Sequence, residues 1–370
     1  MYELFLTCPK GLEEVCKKDL KDFSGKINIL NGGLSTQGSL EDIYRINLHS
    51  RIGMNLLVKL DSFAFKNISD FYKNIYQYKW ENLMTPKMTF FISTSIINQS
   101  KLFNNSQFAS LKAKDAIVDR IRKLRNARPS VSKEGADVEI RLIIDQNNCI
   151  LYLNSSGAPL YRRGYKQSTH KAPLNESLAS GLVYLSKWDK KTDLIDPMCG
   201  SGTICFEAAM IRQNIAPGIN RDFSFQRWMN YDKDLFAQLH KNSISSIKKI
   251  SKNNISGYDK DSKSIEGCRE TKNQFKHNLD LSFRIKNISN FTPARESVVI
   301  TNPPYELRIG DKQAMTEIHS GFDKILKNNN TLYAIYPLES DFIEQNYNYK
   351  KITDIYNGPI KCGFYKINNA

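Results

Sequence analysis

The chain runs to 370 residues, with 53 Lys and Arg against 38 Asp and Glu, a formal net charge of +15 and a pI near 9.3. That length exceeds what one hydrophobic core organises, so more than one domain is expected, and the cationic excess favours a polyanionic partner, because each phosphate neutralised releases counterions. No apolar run of ~18 residues exists to cross a bilayer, Met1-Tyr-Glu-Leu-Phe-Leu-Thr-Cys8 is no secretion signal, and the seven cysteines contain no CxxC pair; a reducing cytoplasm is expected, with neither a disulfide framework nor a metal site.

Residues 2–7 alternate as a strand, and Leu12, Val15, Cys16 and Leu20 lay one helical stripe over 12–20. Asn31-Gly-Gly33 marks a hairpin turn. A second helix is expected over 39–49, with apolar residues at 40, 43, 44 and 48. These form a small α/β unit over 1–55. A second unit, 56–156, follows as a helix over 68–78, a strand over 88–94, a helix over 110–124 and strands over 138–144 and 149–153.

From Lys101 to Glu134, nine basic residues stand against three acids. Ala113, Ala116, Ile117, Ile121 and Leu124 are expected to face inward, which forces many of the cations onto one exposed side. A merely solvated helix face is the bland alternative. Tyr161-Arg-Arg-Gly-Tyr-Lys-Gln-Ser-Thr-His-Lys171 adds four cations and no acid, interleaved with tyrosines. That mixture suits single-stranded or loop RNA, whose bases stack on rings. Lys101, Lys112, Arg120, Arg122, Arg125, Arg162, Arg163 and Lys166 are the cations expected on RNA.

From about residue 173 the pattern alternates helix, strand, glycine turn, helix, strand, which means a parallel sheet with helices on both faces. Lys351–Tyr356 and Ile360–Ile367, joined by Asn357-Gly-Pro, close the chain as a hairpin expected to place an antiparallel strand at the sheet edge. Two stretches here carry chemistry. Asp196-Pro-Met-Cys-Gly-Ser-Gly-Thr203 follows the apolar Asp193-Leu-Ile, and Thr301-Asn-Pro-Pro-Tyr305 follows Ser297-Val-Val-Ile.

Ligands of open α/β sheets bind at the carboxyl ends of strands, where strand order reverses. Gly200 and Gly202 let the backbone pass close to such a ligand. A dinucleotide is the competing reading, but GxGxxG is absent and Asp196 at the strand tip would repel a pyrophosphate. The same carboxylate suits the cationic amino-acid group of S-adenosyl-L-methionine, with Met198 and Thr203 in the same turn. The next strand should end in an acid that grips ribose hydroxyls; Asp259 in Ile255-Ser-Gly-Tyr-Asp259 fits, with Asp261 as runner-up. The long interval before it is the inserted stretch Asn214–Lys252.

The second motif addresses an aromatic amine, a poor nucleophile because its lone pair is delocalised. Asn302 can accept one N–H through its side-chain oxygen and the Pro303 carbonyl the other, and both acceptors strengthen as charge grows on nitrogen. The prolines restrict the backbone, and Tyr305 is expected to stack on the base. No dedicated general base is demanded, since the proton can leave after transfer.

Thr7-Cys-Pro-Lys-Gly-Leu-Glu-Glu14, Ser100-Lys-Leu-Phe103, Arg163-Gly-Tyr165, Ala172-Pro-Leu174 with Glu176, Asn214-Ile-Ala-Pro-Gly218 and Tyr356-Asn-Gly358 extend these motifs over nearly the full length. The whole resembles the THUMP-domain class I RNA methyltransferases, specifically the ribosomal RNA guanine-N2 branch. The resemblance implies a ferredoxin-like domain over 1–55 and a THUMP RNA-binding domain over 56–156. A Rossmann-like class I methyltransferase domain over 157–370, with a mostly parallel seven-stranded sheet, would follow. It implies methylation of guanine N2 in 23S ribosomal RNA, free or in an assembly intermediate, with the N-terminal half gripping the RNA. It also implies that Thr169 and Pro173 border the cofactor, that Asn302 touches it, and that Asn287 stands where the family has an acid near the adenine amine. There the amide oxygen is expected to accept that hydrogen bond. Glu306 replaces a common Gly, and the chain ends without the second methyltransferase domain of some relatives, so a single modification is expected. A transfer-RNA guanine-N2 enzyme is the nearest alternative; a protein glutamine N5-methyltransferase, a DNA adenine-N6 methyltransferase and a non-enzymatic RNA-binding module are more distant.

Overall fold

The computed structural model describes residues 1–98, 100–165, 174–250, 254–304 and 312–368. The chain opens with β1 (Tyr2–Thr7), α1 (Glu13–Asp19), β2 (Asn28–Leu30), β3 (Gly33–Gly38) and α2 (Leu40–His49). Gly32, at φ +75°, turns the chain between β2 and β3. A reciprocal cap starts α2: the Ser39 hydroxyl accepts the Asp42 N–H while the Asp42 carboxylate accepts the Ser39 N–H. Then come β4 (Asn55–Ala64), α3 (Ile68–Gln77), β5 (Thr89–Asn98), α4 (Ser106–Arg125), β6 (Ser130–Val131), β7 (Val138–Asp145) and β8 (Asn148–Asn154).

These strands form one sheet in the order β2-β3-β1-β4-β8-β7-β5-β6. β4 is the joint. Its first half pairs with β1, Val58 opposite Leu4, and it also pairs with β8 from Leu57 opposite Asn154 to Ala64 opposite Asn148. No strand is expected there from the sequence. Leu56, Leu57 and Val58 are all buried, because a central strand is covered on both faces, and that erases the alternation by which a strand is read. The boundary expected at 55/56 falls at the first residue of β4, so the sheet runs straight across it.

The second half contains α5 (Glu176–Leu185), β9 (Leu194–Asp196), α6 (Thr203–Arg212), α7 (Lys233–Ser245), β10 (Ile255–Asp259), α8 (Ser262–Gln274), β11 (Ser282–Ile285) and β12 (Val298–Thr301). It closes with α9 (Lys312–Lys327), β13 (Thr331–Pro337), α10 (Phe342–Asn346), β14 (Asn348–Asn357) and β15 (Ile360–Asn368). The sheet order is β11-β10-β9-β12-β13-β15-β14, parallel except for β15, which runs antiparallel to both neighbours. The antiparallel strand therefore lies one place in from the edge, and β14 forms the edge itself. Burial explains the order: Cys362 to Tyr365 of β15 are buried on both faces, whereas β14 begins with the exposed Asn348, Tyr349, Lys350 and Lys351. Lysines on an edge strand discourage pairing with another chain.

The insertion between β9 and β10 fastens the two halves together. Phe225 stacks on Tyr44 of α2 at 4.4 Å between ring centroids, and Phe236 of α7 meets the same ring edge-on. The Gly218 N–H donates to the Leu48 carbonyl at 3.0 Å. Arg51 donates to the carbonyls of Met210 and Ile215.

Candidate active site

β9 lies at the point where strand order reverses, with β10 on one side and β12 on the other. Asp196, Asp259 and Thr301 are the last residues of these three strands. The turn after Asp196 is held by main-chain geometry: Cys199 N–H donates to the Tyr258 carbonyl at 2.8 Å, and Gly202 N–H to the Cys199 carbonyl at 2.7 Å. Gly200 and Gly202 have φ of +50° and +72°. A Cβ at Gly202 would lie 2.8 Å from the Phe283 ring and 3.0 Å from the Cys268 sulfur, while one at Gly200 would meet nothing within 4 Å among the described residues. The first glycine thus leaves open room above the turn, and the second seats α6, which begins at Thr203.

The carboxylates at the tips differ in state. Asp196 is 2% exposed, and burial pushes its acid up to about 7, opposed by hydrogen bonds from the Thr301 hydroxyl and the Met198 N–H. Asp259 accepts the Gly200 N–H at 2.8 Å and the Asp261 N–H at 3.0 Å. The runner-up, Asp261, caps α8, accepting from the Lys263 and Ser264 N–H groups and the Ser264 hydroxyl. A buried carboxylate, a half-exposed one and an open glycine turn between them match a ligand that carries a cationic group and a diol.

Asn302 and Pro303 follow directly on β12, the asparagine half-buried and the proline buried. Lys166, Thr169, Pro173, Tyr305 and Glu306 lie outside the described residues. Asn287 is engaged within the protein at both side-chain atoms. Its side-chain oxygen accepts the N–H and hydroxyl of Ser289, and its amide nitrogen donates to Glu317 of α9 at 3.1 Å. Lys260 donates to the same Glu317 oxygen at 3.3 Å. These two partners, Asn287 first, hold Glu317 below the usual carboxylate range. Glu317 thus adds a second carboxylate, beside Asp259, at the outer ends of β10 and β11. No motif signals it, because α9 brings it there by packing from beyond β12.

The expected RNA contacts divide. Lys101, Arg122, Arg125 and Arg162 are exposed, and Lys112 lies 5.6 Å over the Phe108 ring. Two others are engaged inside the protein. Arg120 forms a two-pronged pair with Glu81, at 2.7 and 2.5 Å, and also donates to the Tyr76 and Gln77 carbonyls. That pairing holds Glu81 down to about 2. Arg163 is buried and donates to the Leu160 and Arg51 carbonyls beside Glu207, so it presents nothing to RNA. Leu124, expected inward, is exposed, as is the chain around it from Arg122 to Arg128. Among the described residues no three His, Cys, Asp or Glu side chains gather as for a metal ion, and no helix is long and apolar enough to cross a membrane.

The RlmL ferredoxin-like domain family matches residues 3–54, the THUMP domain family 65–154, and the RMKL-like methyltransferase domain family 163–357. The Desulfotalea psychrophila protein named ribosomal RNA large subunit methyltransferase K/L is 33% identical over 98% of this chain and 52% of its own length. A Synechocystis protein named as an RNA methyltransferase, slr0064, is 32% identical over 87% of this chain and 84% of its own. The chain thus spans about half the length of the K/L relatives it matches. A Clostridium difficile protein named as a methylase superposes with a TM-score of 0.88 at 30% identity, covering 100% of this chain and 98% of its own. SMU.472, named as a methyltransferase and solved with SAH, gives 0.87 at 25% identity with coverage of 100% and 98%. Sheet order, strand-tip carboxylates and full-length similarity agree, and the chain belongs to the RMKL-like methyltransferase family, with ferredoxin-like and THUMP domains ahead of the methyltransferase domain.

Proposed function

We propose that the protein transfers a methyl group from S-adenosyl-L-methionine to the exocyclic N2 of a guanine in 23S ribosomal RNA, free or in an assembly intermediate, in the cytoplasm. One observation carries the reading: the Asp196–Gly202 turn and the Asn302-Pro303 pair stand at neighbouring strand tips, on the two sides of the reversal in strand order. The K/L names of the relatives support ribosomal RNA as substrate, and the SAH bound to SMU.472 supports the donor. The division into 1–55, 56–156 and 157–370 is part of the same reading.

Each residue then has a stated task. Ionised Asp196 takes the donor's amino group, and Asp259 accepts its ribose hydroxyls while it still holds the Gly200 N–H. Glu317 offers an acceptor to the adenine amine, in place of the engaged Asn287 oxygen. When bound, the donor supplies a methyl carbon that bonds to the amine nitrogen as its bond to the sulfonium sulfur breaks. Asn302 and the Pro303 carbonyl each accept one N–H of the guanine amine, drawing the nitrogen out of conjugation before one proton passes to solvent. Lys101, Lys112, Arg122, Arg125 and Arg162 hold the phosphate backbone.

N2-methylguanosine mapped by mass spectrometry in ribosomal and transfer RNA, from cells with and without the gene, tests this reading. Loss of one 23S guanine modification is expected. Loss confined to transfer RNA, or no loss, would contradict it.

A further inference from the structure

We propose that Thr301 is a positioning residue that ties the cofactor half of the site to the nitrogen-accepting half, so that the Asp196 carboxylate and the Asn302 amide are set as one unit. The inference rests on the reading of the two half-sites given above. It begins from the ladder between β9 and β12. Those strands pair through Leu194 with Val298 and Ile195 with Val299, and the pairing stops there. Ile300 and Thr301 continue to pair with Tyr333 and Ala334 of β13. Beyond Ile195 the β9–β12 ladder ends, at the carboxyl ends of the strands where ligands of such sheets bind.

The two strand tips are joined by a side chain. The Thr301 hydroxyl donates to Asp196 Oδ1 at 2.9 Å. The Met198 N–H donates to the same oxygen at 3.2 Å, so two donors in different elements fix the plane of the carboxylate. Thr301 is fully buried and follows Val298, Val299 and Ile300. A valine would fill the same space without a hydroxyl that must find a partner. Its next neighbour in the chain is Asn302, one peptide bond from the residue that braces Asp196.

The bond also senses charge. Asp196 is surrounded by burial, the Asp259 carboxylate across on β10 and the Cys199 and Cys205 thiols, and the Thr301 hydroxyl and Met198 N–H favour its ionised form. Arrival of a cationic amino group favours that form further, and a hydrogen bond to a charged acceptor is stronger than one to a neutral acceptor. Occupation of the cofactor half therefore firms the tip of β12 before the amine is gripped.

The test is calorimetric titration of S-adenosylhomocysteine, which keeps the amino group, into the full-length protein and its Thr301→Val and Thr301→Ser variants from pH 6 to 8.5. Single-turnover methyl transfer to ribosomal RNA at saturating donor is measured alongside. Loss of the hydroxyl removes a bond that favours the carboxylate, so the acid limb of binding should move to higher pH in Thr301→Val. Transfer should fall about tenfold or more in that variant, as for loss of a hydrogen bond to a charged group. Thr301→Ser should keep the wild-type limb. Should Thr301→Val not fold, Thr301→Ser against Thr301→Ala makes the same comparison. An unmoved limb in the variant lacking the hydroxyl, or a serine variant no better than it, would reduce Thr301 to packing and overturn the coupling. Failure of the wild type to take up S-adenosylhomocysteine at any pH would instead overturn the reading of the cofactor site.

Discussion

Asp196 sits where the fold alone would not choose a carboxylate. Its acid is raised from 3.8 to about 7 by burial, so its contribution to stability is complete below pH ~4 and is lost as pH rises through ~7. At pH 8 that loss approaches 4 kcal/mol, on the order of three pKa units. Asp196→Asn should therefore melt several degrees higher than wild type at pH 8 while losing uptake of S-adenosylhomocysteine, a trade of stability against function. Equal melting with retained binding would contradict both the charge and the role. Asn302→Ala should lower turnover by about 10²-fold or more, as for removal of a preorganised acceptor, with RNA affinity unchanged; a filter-binding assay beside a methyl-transfer assay separates the two. Residue types and spacing in the sequence located the glycine turn and the Asn302-Pro303 pair. They left open Asp259 against Asp261, misjudged Arg163, and gave no sign of the internal partners of Asn287, because a sequence states what a side chain can bond to and not which partner engages it.

At the scale of elements, α4 combines a structural and a binding face. Arg120 braces it against Glu81 and the last two carbonyls of α3. Arg120→Ala should lower stability by about 1.5–3 kcal/mol, the range for hydrogen bonds to charged groups, and leave the salt dependence of RNA binding as it was. Alanine at Lys101, Arg122 and Arg125 together should weaken RNA binding and flatten its salt slope by about two, roughly 0.7 per phosphate contact on single-stranded RNA. An unaltered slope would remove this face from the RNA. The helices were legible because their buried faces repeat at helical spacing, as in Ala113, Ala116, Ile117 and Ile121. β4 was not legible, because burial on both faces removes the two-residue period. The order of β14 and β15 escaped for a related reason: a hairpin turn reveals that two strands pair, but not which of them inserts beside β13.

A buried polar seam in the second half of the molecule reaches into the first through Arg163. Glu207 of α6 accepts the Tyr165 and Ser180 hydroxyls and lies beside Arg163, whose guanidinium also donates to the Arg51 carbonyl. Glu207→Ala should cost about 3–5 kcal/mol in urea or thermal unfolding, the range for leaving a buried cation without its partner; a loss below ~1 kcal/mol would show the seam relaxes freely. The inserted stretch before β10 was visible only as an excess of length, since docking of α7 on α2 is a contact between distant segments. The seam lies in the half of the chain whose strand tips are proposed to carry methyl transfer. The most direct measurement of that chemistry is to supply the purified protein with methyl-labelled S-adenosylmethionine and ribosomal RNA and to identify the labelled atom by mass spectrometry. Label on the exocyclic nitrogen of a guanine is expected. Label on a carbon or an oxygen, or none on the RNA, would contradict the pairing of a sulfonium donor with an amine acceptor at the tips of β9 and β12.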